Sequence, residues 1–139
     1  MTVAICRLMI AGVSLALAGC ATLQAPACLP PAQPMLSAEL AFGRHIGDRP
    51  GVSDADFRRF AAEEITPRFP DGFTVIDGAG QWRDTVRHRL VHEKTKLVMV
   101  VFAESAGKRA ALNEIAEAYK QRFRQHSVLV AVRPSCVSF

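Results

Sequence analysis

The chain has 139 residues, of which 50% are hydrophobic, and 17 Lys and Arg against 13 Asp and Glu give it a formal net charge of +4. This length fits one domain with one core. The basic residues are interspersed with acidic and apolar ones, which argues against a nucleic-acid-binding protein, because such proteins present a continuous basic face.

The first 20 residues predict an export signal that ends in a lipid attachment site. Arg7 precedes an apolar run over 8–18, which is too short to span a bilayer as a helix. A positive start, a short apolar run and small residues before the cleavage point are typical of a secretory signal. The sequence LAGC, ending at Cys20, resembles the bacterial lipobox, in which the cysteine receives a lipid and the peptide is cut before it. We therefore expect a cleaved signal peptide at 1–19 and acyl chains such as palmitate on Cys20; the alternative is an ordinary secreted protein.

The residues after the lipobox predict a tether on a membrane surface. Two or three acyl chains hold a protein stably without a membrane-spanning segment. By resemblance to lipoprotein sorting in Gram-negative bacteria, Ala21 indicates the periplasmic face of the outer membrane. Prolines between 26 and 34 favour a semi-rigid spacer. We expect a lipidated tether over 20–34 and a single domain over 35–139.

The first half of this domain predicts a strand and a helix. Alternating apolar residues over 36–46 indicate a half-buried strand. Ser53 and Asp56 have the spacing of a capping box, which begins a helix. Pro67 ends that helix at about Ile65 or Thr66, because the residue before a proline avoids helical geometry.

The second half predicts two strands, a helix and a last strand. A strand over 73–77 resumes at 81–83 after a Gly-Ala-Gly kink, and a polar hairpin is expected over 84–94. The next strand, 96–103, is apolar on both sides, as in a central strand covered on both faces. Ser105 then caps a helix with an apolar stripe, and a final strand follows at 128–133.

This element order predicts an α+β fold, the ferredoxin-like βαββαβ sandwich, with two helices on one face of a four-stranded antiparallel sheet. Its first and last strands are antiparallel neighbours, which brings Cys28 and Cys136 to one end. In an oxidising compartment these two cysteines suggest a disulfide; the alternative is two free thiols. The doubly apolar strand implies that the second face of the sheet is also covered, for example by a second copy in a barrel-forming homodimer.

The stretch FGRHIGDRPGVSDADFRRFAAEEITPRFPDGFTVIDGAGQWRD, a later hydrophobic strand, the helix end AYKQRF and the terminal RPSCVSF resemble the bacterial family called domain of unknown function 3574. The resemblance covers nearly the whole predicted domain. It implies an exported protein or lipoprotein, and it implies no particular activity.

Four residues are candidate ligand-binding groups. Arg44 lies on the apolar side of the first strand, where it needs an ion-pair partner or binds an anion. His45 is expected to face solvent rather than to act as a general base. Trp82 and Arg83 form either a stacking surface for a ligand or a cap on the open sheet face with hairpin charges.

Metal and cofactor sites are not predicted. His88 and His92 are four residues apart in an extended segment, about 13 Å, which is too far for one ion. Cys136 is better explained as a disulfide partner than as a nucleophile.

These features together predict a non-enzymatic, lipid-anchored envelope protein that binds a small ligand or another envelope component. The alternative is an enzyme of the dimeric α+β barrel type, with a pocket near Arg44, Trp82 and Arg83. The alternative rests on analogy with the fold.

Overall fold

The computed structural model describes residues 27–46 and 49–139. The predicted signal peptide at 1–19, the lipid site Cys20 and the first part of the tether lie outside the described residues. None of the described helices is long and apolar enough to cross a membrane.

One four-stranded antiparallel sheet organises the domain. The elements are β1 (Gln33–Gly43), β2 (His45–Ile46), β3 (Arg49–Pro50), α1 (Asp54–Phe60) continued by a π-helical turn (Ala61–Ile65), β4 (Thr74–Asp84), β5 (Arg89–Phe102), α2 (Ala106–Phe123) and β6 (Leu129–Val137). The strand order in the sheet is β4-β5-β1-β6, and β2 and β3 form a separate small ribbon. The predicted α+β fold with a four-stranded antiparallel sheet and two helices is confirmed.

The core lies between the two helices and one face of the sheet. Alternate residues of the paired central strands β1 and β5 point to the same side and are buried, which is what their period-two pattern predicts. The residues concerned are Leu36, Ala38, Leu40, Phe42, Val98, Val100 and Phe102. The apolar stripe of α2 covers them: Leu112, Ile115 and Tyr119 are each at most 1% exposed.

Both helices begin at the predicted caps. The Ser53 hydroxyl accepts the backbone N–H of Asp56 at 3.1 Å, and the Asp56 carboxylate accepts the N–H of Ser53 at 3.2 Å. Ser105 caps α2 by accepting the N–H of Lys108. Rings from both helices meet around Phe42, whose centroid is 4.7 Å from that of Tyr119 and 5.6 Å from that of Phe57.

The strands are longer than the sequence pattern suggests. β4 runs without a break through the Gly-Ala-Gly segment, because each of these residues is paired with β5. β5 begins at Arg89, since the predicted polar hairpin is a short turn flanked by strand: the Asp84 carboxylate accepts the N–H groups of Val86 and Arg87. β6 continues through Pro134, which is tolerated because β6 is an edge strand. β1 begins at Gln33, two residues before the predicted domain boundary.

The second face of the sheet is not covered by any element of the described chain. We call it the open face. Its exposed apolar side chains include Ile76, Trp82, Met99 and Leu129.

Candidate functional site

Arg44, directly after β1, is engaged within the protein. Its Nε donates a hydrogen bond to the carbonyl oxygen of Val52 at 2.8 Å. Its Nη1 lies 3.1 Å from Asp54 Oδ1 and 3.9 Å from Asp77 Oδ1, and the side chain is 13% exposed. Of the two predicted roles, the geometry therefore supports the structural ion pair rather than anion binding.

Lys96 completes this group of charges. Its Nζ lies 2.7 Å from Asp54 Oδ1 and 2.5 Å from Asp77 Oδ1. The hydrogen bonds to Asp54 and Asp77 raise the pKa of Lys96, and the bond from Lys96 together with the charge of Arg44 lowers the pKa of Asp54. We call Arg44, Asp54, Asp77 and Lys96 the charge cluster. Its two cations and two carboxylates balance, so no net positive charge is left to attract an anion.

The charge cluster assembles where the end of β1 and the start of α1 meet the paired strands β4 and β5 on the helix-covered side. Asp77 and Lys96 are directly opposed on β4 and β5. Asp54 is the first residue of α1. Sequence reasoning missed Lys96, although one signal was present: it lies in the same alternation as Val98 and Val100, where an unpaired lysine would be costly.

A second polar arrangement lies at the end of β1. The Glu93 carboxylate accepts the backbone N–H of His45 at 3.0 Å. A Cβ atom at Gly43 would stand 2.5 Å from Glu93 Oε1, so the absence of a side chain at Gly43 makes room for this carboxylate. Gln125 donates its side-chain N–H to the carbonyl oxygen of His45.

The backbone of His45 is therefore held from two sides. His45 as a whole is half-buried, whereas the sequence predicted a residue that faces solvent. Neither contact involves the imidazole ring.

Tyr119 supports the same strand end from the core. Its hydroxyl donates a hydrogen bond to the carbonyl oxygen of Gly43 at 2.8 Å. Burial raises the pKa of Tyr119, and the positive charge of Arg44 partly opposes that rise. The hydroxyl is thus a neutral structural donor.

Trp82 lies on the open face and is 51% exposed. Its register partner on β5 is Val91, whereas Arg83 is opposed to Leu90. Because successive strand residues point to opposite faces, Trp82 and Arg83 lie on different sides of the sheet. Arg44 is also on the helix-covered side, so the chain does not bring the three predicted pocket residues onto one surface.

The open face beside Trp82 has a floor formed by two glycines and a threonine. Gly78 and Gly80 of β4 alternate with Ile76 and Trp82 on this face. A Cβ atom at Gly80 would stand 3.3 Å from Oγ1 of Thr95 on β5, so this hydroxyl lies beside the glycines. The Glu93 carboxylate is instead directed to Gly43, on the β1 side. An aromatic ring, an apolar side chain and a hydroxyl thus border a shallow surface.

The cysteines and histidines have separate roles. Cys28 and Cys136 form a disulfide, with a Cα–Cα distance of 5.4 Å. His88 lies in the hairpin turn with φ 52° and His92 lies in β5. Within residues 27–46 and 49–139, no group of three His, Cys, Asp or Glu side chains could hold a metal ion.

The fold and this surface define a small disulfide-linked α+β domain with one sheet face free for contact. The family model described as "Protein of unknown function (DUF3574)" matches residues 37–139, and the chain belongs to this family, as its sequence predicts. A search of curated proteins found no match.

Two solved structures of a phage SAM lyase are similar to this chain. The complex with S-methyl-5′-thioadenosine has a TM-score of 0.61 and 16% sequence identity, and the match covers 76% of this chain and 90% of that chain. The apo structure has a TM-score of 0.57 and 15% identity, with the same coverage. At this identity the likeness shows a shared fold.

Proposed function

We propose that this protein is a non-enzymatic, lipid-anchored binding module of the cell envelope, whose open sheet face takes a small ligand or another envelope component. The observation that carries the proposal is the exposure of Trp82, Ile76 and Met99 on one face, beside a floor of glycines. The strand order, with the last strand beside the first, supports assignment to the ferredoxin-like sandwiches.

The chemistry of this face favours a flat ligand. Gly78 and Gly80 let a planar group approach the backbone closely. Trp82 offers a ring for stacking, and such rings contribute strongly to recognition. The Thr95 hydroxyl adds a hydrogen-bonding group beside the glycines. A ring-containing molecule with a polar substituent fits this arrangement.

The ionisable groups with shifted pKa values have structural roles. General acids and bases work best with a pKa near the operating pH. The pKa values of Tyr119 and Lys96 are instead raised, away from neutrality, and that of Asp54 is lowered. Tyr119 and Lys96 are occupied by hydrogen bonds within the protein.

The runner-up is an enzyme of the dimeric α+β barrel type, in which a second copy would cover the open face and enclose a pocket. The similarity in fold to the phage SAM lyase is the reason to consider this alternative. S-methyl-5′-thioadenosine, which is bound in that structure, is then a suitable probe because its purine could stack on Trp82.

The binding proposal is tested by purifying the full chain from its own membrane and identifying co-eluting molecules by native mass spectrometry. We expect a bound species that is lost in Trp82→Ala and kept in Leu129→Ala, a matched change at another exposed apolar residue of the open face. Equal retention by both variants would contradict the proposal. Turnover of S-adenosylmethionine by the wild type would favour the enzyme instead.

The membrane location is a separate part of the proposal. It is supported by the lipobox-like LAGC sequence and the proline-rich segment after it. Cys20→Ser should remove labelling by radioactive palmitate and release the protein from membranes. A Cys20→Ser protein that still fractionates with the membrane would contradict the anchor.

A further inference from the structure

The two edges of the sheet differ in how well they are protected. β6, one edge, contains Pro134, which cannot donate a backbone hydrogen bond. β4, the other edge, has 11 residues and contains no proline. Of its charged residues, Asp77 is ion-paired in the charge cluster, and Arg83 and Asp84 lie at its end. A long edge strand without a proline is a template for pairing with another strand.

β4 also carries exposed apolar side chains. Val75 is 40% exposed, Ile76 44% and Trp82 51%. Its centre, Gly78–Gly80, has almost no side chains and leaves the backbone accessible. The edge therefore combines free backbone groups with apolar surface at both of its ends.

We propose that β4 pairs with β4 of a second copy of this chain, antiparallel and about a two-fold axis at Ala79, to give one continuous eight-stranded sheet. Two-fold symmetry requires that a residue a given number of positions before Ala79 in one copy faces the residue the same number of positions after Ala79 in the other copy. In this register Ile76 faces Trp82 of the second copy, and Trp82 faces Ile76 of the second copy. The paired strands would share about ten backbone hydrogen bonds.

The side chains of β4 are self-complementary in this register. The two Ile76–Trp82 pairs are cross-strand pairs of an aromatic with a β-branched residue, which stabilise sheets. Asp77 faces Gln81, Asp84 faces Thr74, and no charged side chain faces a like charge. Moving the axis by two residues, to Asp77, would oppose two aspartates.

The opposite shift gives a poorer fit as well. An axis at Gln81 would put Gly80 against Trp82 and leave Ile76 without a partner on the paired strand. The register centred on Ala79 is thus the one that pairs the exposed apolar residues with each other.

The edge is a better dimer surface than the open face. The open face carries the exposed ion pair between Arg133 and Glu39, and the Glu93 carboxylate lies on the same side of the sheet beside Gly43. Packing two open faces together would bury these charges, which is costly. Pairing through β4 leaves both open faces accessible.

The dimer also completes the proposed binding surface. It places Trp82 of one copy beside Ile76 of the other. The open faces of the two copies then form one continuous surface around their glycine floors. This consequence rests on the proposed function, whereas the pairing of β4 does not and is tested without a ligand.

Crosslinking in the native membrane tests the pairing directly. At the two-fold axis, residue 79 faces itself at a separation compatible with a disulfide. We expect the full chain with Ala79→Cys to run at twice the monomer mass on a non-reducing gel, and Ala131→Cys, on the exposed part of β6, to stay monomeric. Equal crosslinking of both variants, or of neither, would overturn the proposal.

A charge exchange tests the register and separates edge pairing from a face-to-face barrel. In detergent, sedimentation should show a dimer for the wild type, monomers for Ile76→Glu and for Trp82→Lys, and a dimer again for the double variant. Met99→Glu, on the open face of β5, should leave the dimer intact. A monomeric wild type, or a dimer broken by Met99→Glu and not by Ile76→Glu, would overturn edge pairing.

Discussion

The hydroxyl of Tyr119, in the last part of α2, donates a hydrogen bond to the carbonyl oxygen of Gly43 at 2.8 Å, across 76 positions of sequence. The same glycine leaves space for the Glu93 carboxylate. Tyr119 therefore holds the end of β1 from the core. Glu93, whose carboxylate accepts the N–H of His45, lies beside the same strand end. Gly43 therefore connects the helix layer with the open face.

Tyr119→Phe should lower the free energy of unfolding by about 1–2 kcal/mol, because the carbonyl oxygen of Gly43 loses a buried donor while the ring remains. Urea unfolding at neutral pH measures the change. Phe123→Leu, at a partly buried neighbour in the aromatic cluster, provides a packing control. A Tyr119→Phe protein as stable as the wild type would show that the hydrogen bond contributes nothing.

Gly43→Ala should displace the Glu93 carboxylate and weaken its hydrogen bond to the N–H of His45, because the added Cβ would occupy the same space. We expect a loss of about 1 kcal/mol, since a charged acceptor at the end of a flexible side chain can shift. The second substitution Glu93→Ala should make Gly43→Ala nearly neutral. Additive effects of the two changes would contradict this coupling, and a double-mutant cycle measures it.

The charge cluster predicts a defined pH window of stability. The pKa of Asp54 is lowered from 3.8, so its contribution is present above that value and is lost as the pH falls through the lowered pKa. The pKa of Lys96 is raised from 10.5, so its contribution is present below that value and is lost as the pH rises through the raised pKa. Both contributions to the free energy of unfolding are therefore fully present between pH 3.8 and pH 10.5.

Lys96→Met should therefore lower the melting temperature most near neutral pH, and the difference from the wild type should shrink at acidic pH, as the pH falls through the lowered pKa of Asp54. Thermal unfolding followed by circular dichroism measures both values. Arg133→Met, which removes an exposed ion pair with Glu39, should change little at either pH. A pH-independent effect of Lys96→Met would indicate packing rather than charge.

Cys136→Ser should lower the free energy of unfolding by about 4 kcal/mol in the chain-entropy model, because the disulfide closes a loop over a sequence separation of 108. Chemical denaturation measures this loss. The wild type in reducing agent should match the variant. Unchanged stability in both samples would contradict a stabilising crosslink.

The sequence was informative where one physical preference dominates. The capping residues Ser53 and Asp56 and the alternation along β1 depend on local geometry, so the element order followed from them. Strand lengths were harder to predict. Gly78 and Gly80 suggest a break in the strand, but pairing with β5 keeps β4 continuous through them. The π-helical turn Ala61–Ile65 likewise has no signature in apolar spacing.

The candidate site was only partly predictable, because it depends on contacts between distant segments. The need of Arg44 for an ion-pair partner followed from its place in the alternation. The identity of that partner did not, as Asp54 and Asp77 reach it from a helix start and a neighbouring strand. Grouping Trp82 with Arg83 was misleading, because adjacent residues of one strand face opposite sides.

The crosslink between Cys28 and Cys136 has a mechanical consequence. Tension arriving through the residues before Cys28 divides between the backbone leading to β1 and the sulfur bridge leading to β6. The two strands are hydrogen-bonded neighbours with their ends fastened together, so a pull cannot peel one from the other at that end. For a pull between the residues before Cys28 and those after Cys136, the bridge offers a path that bypasses the whole folded segment between the two cysteines.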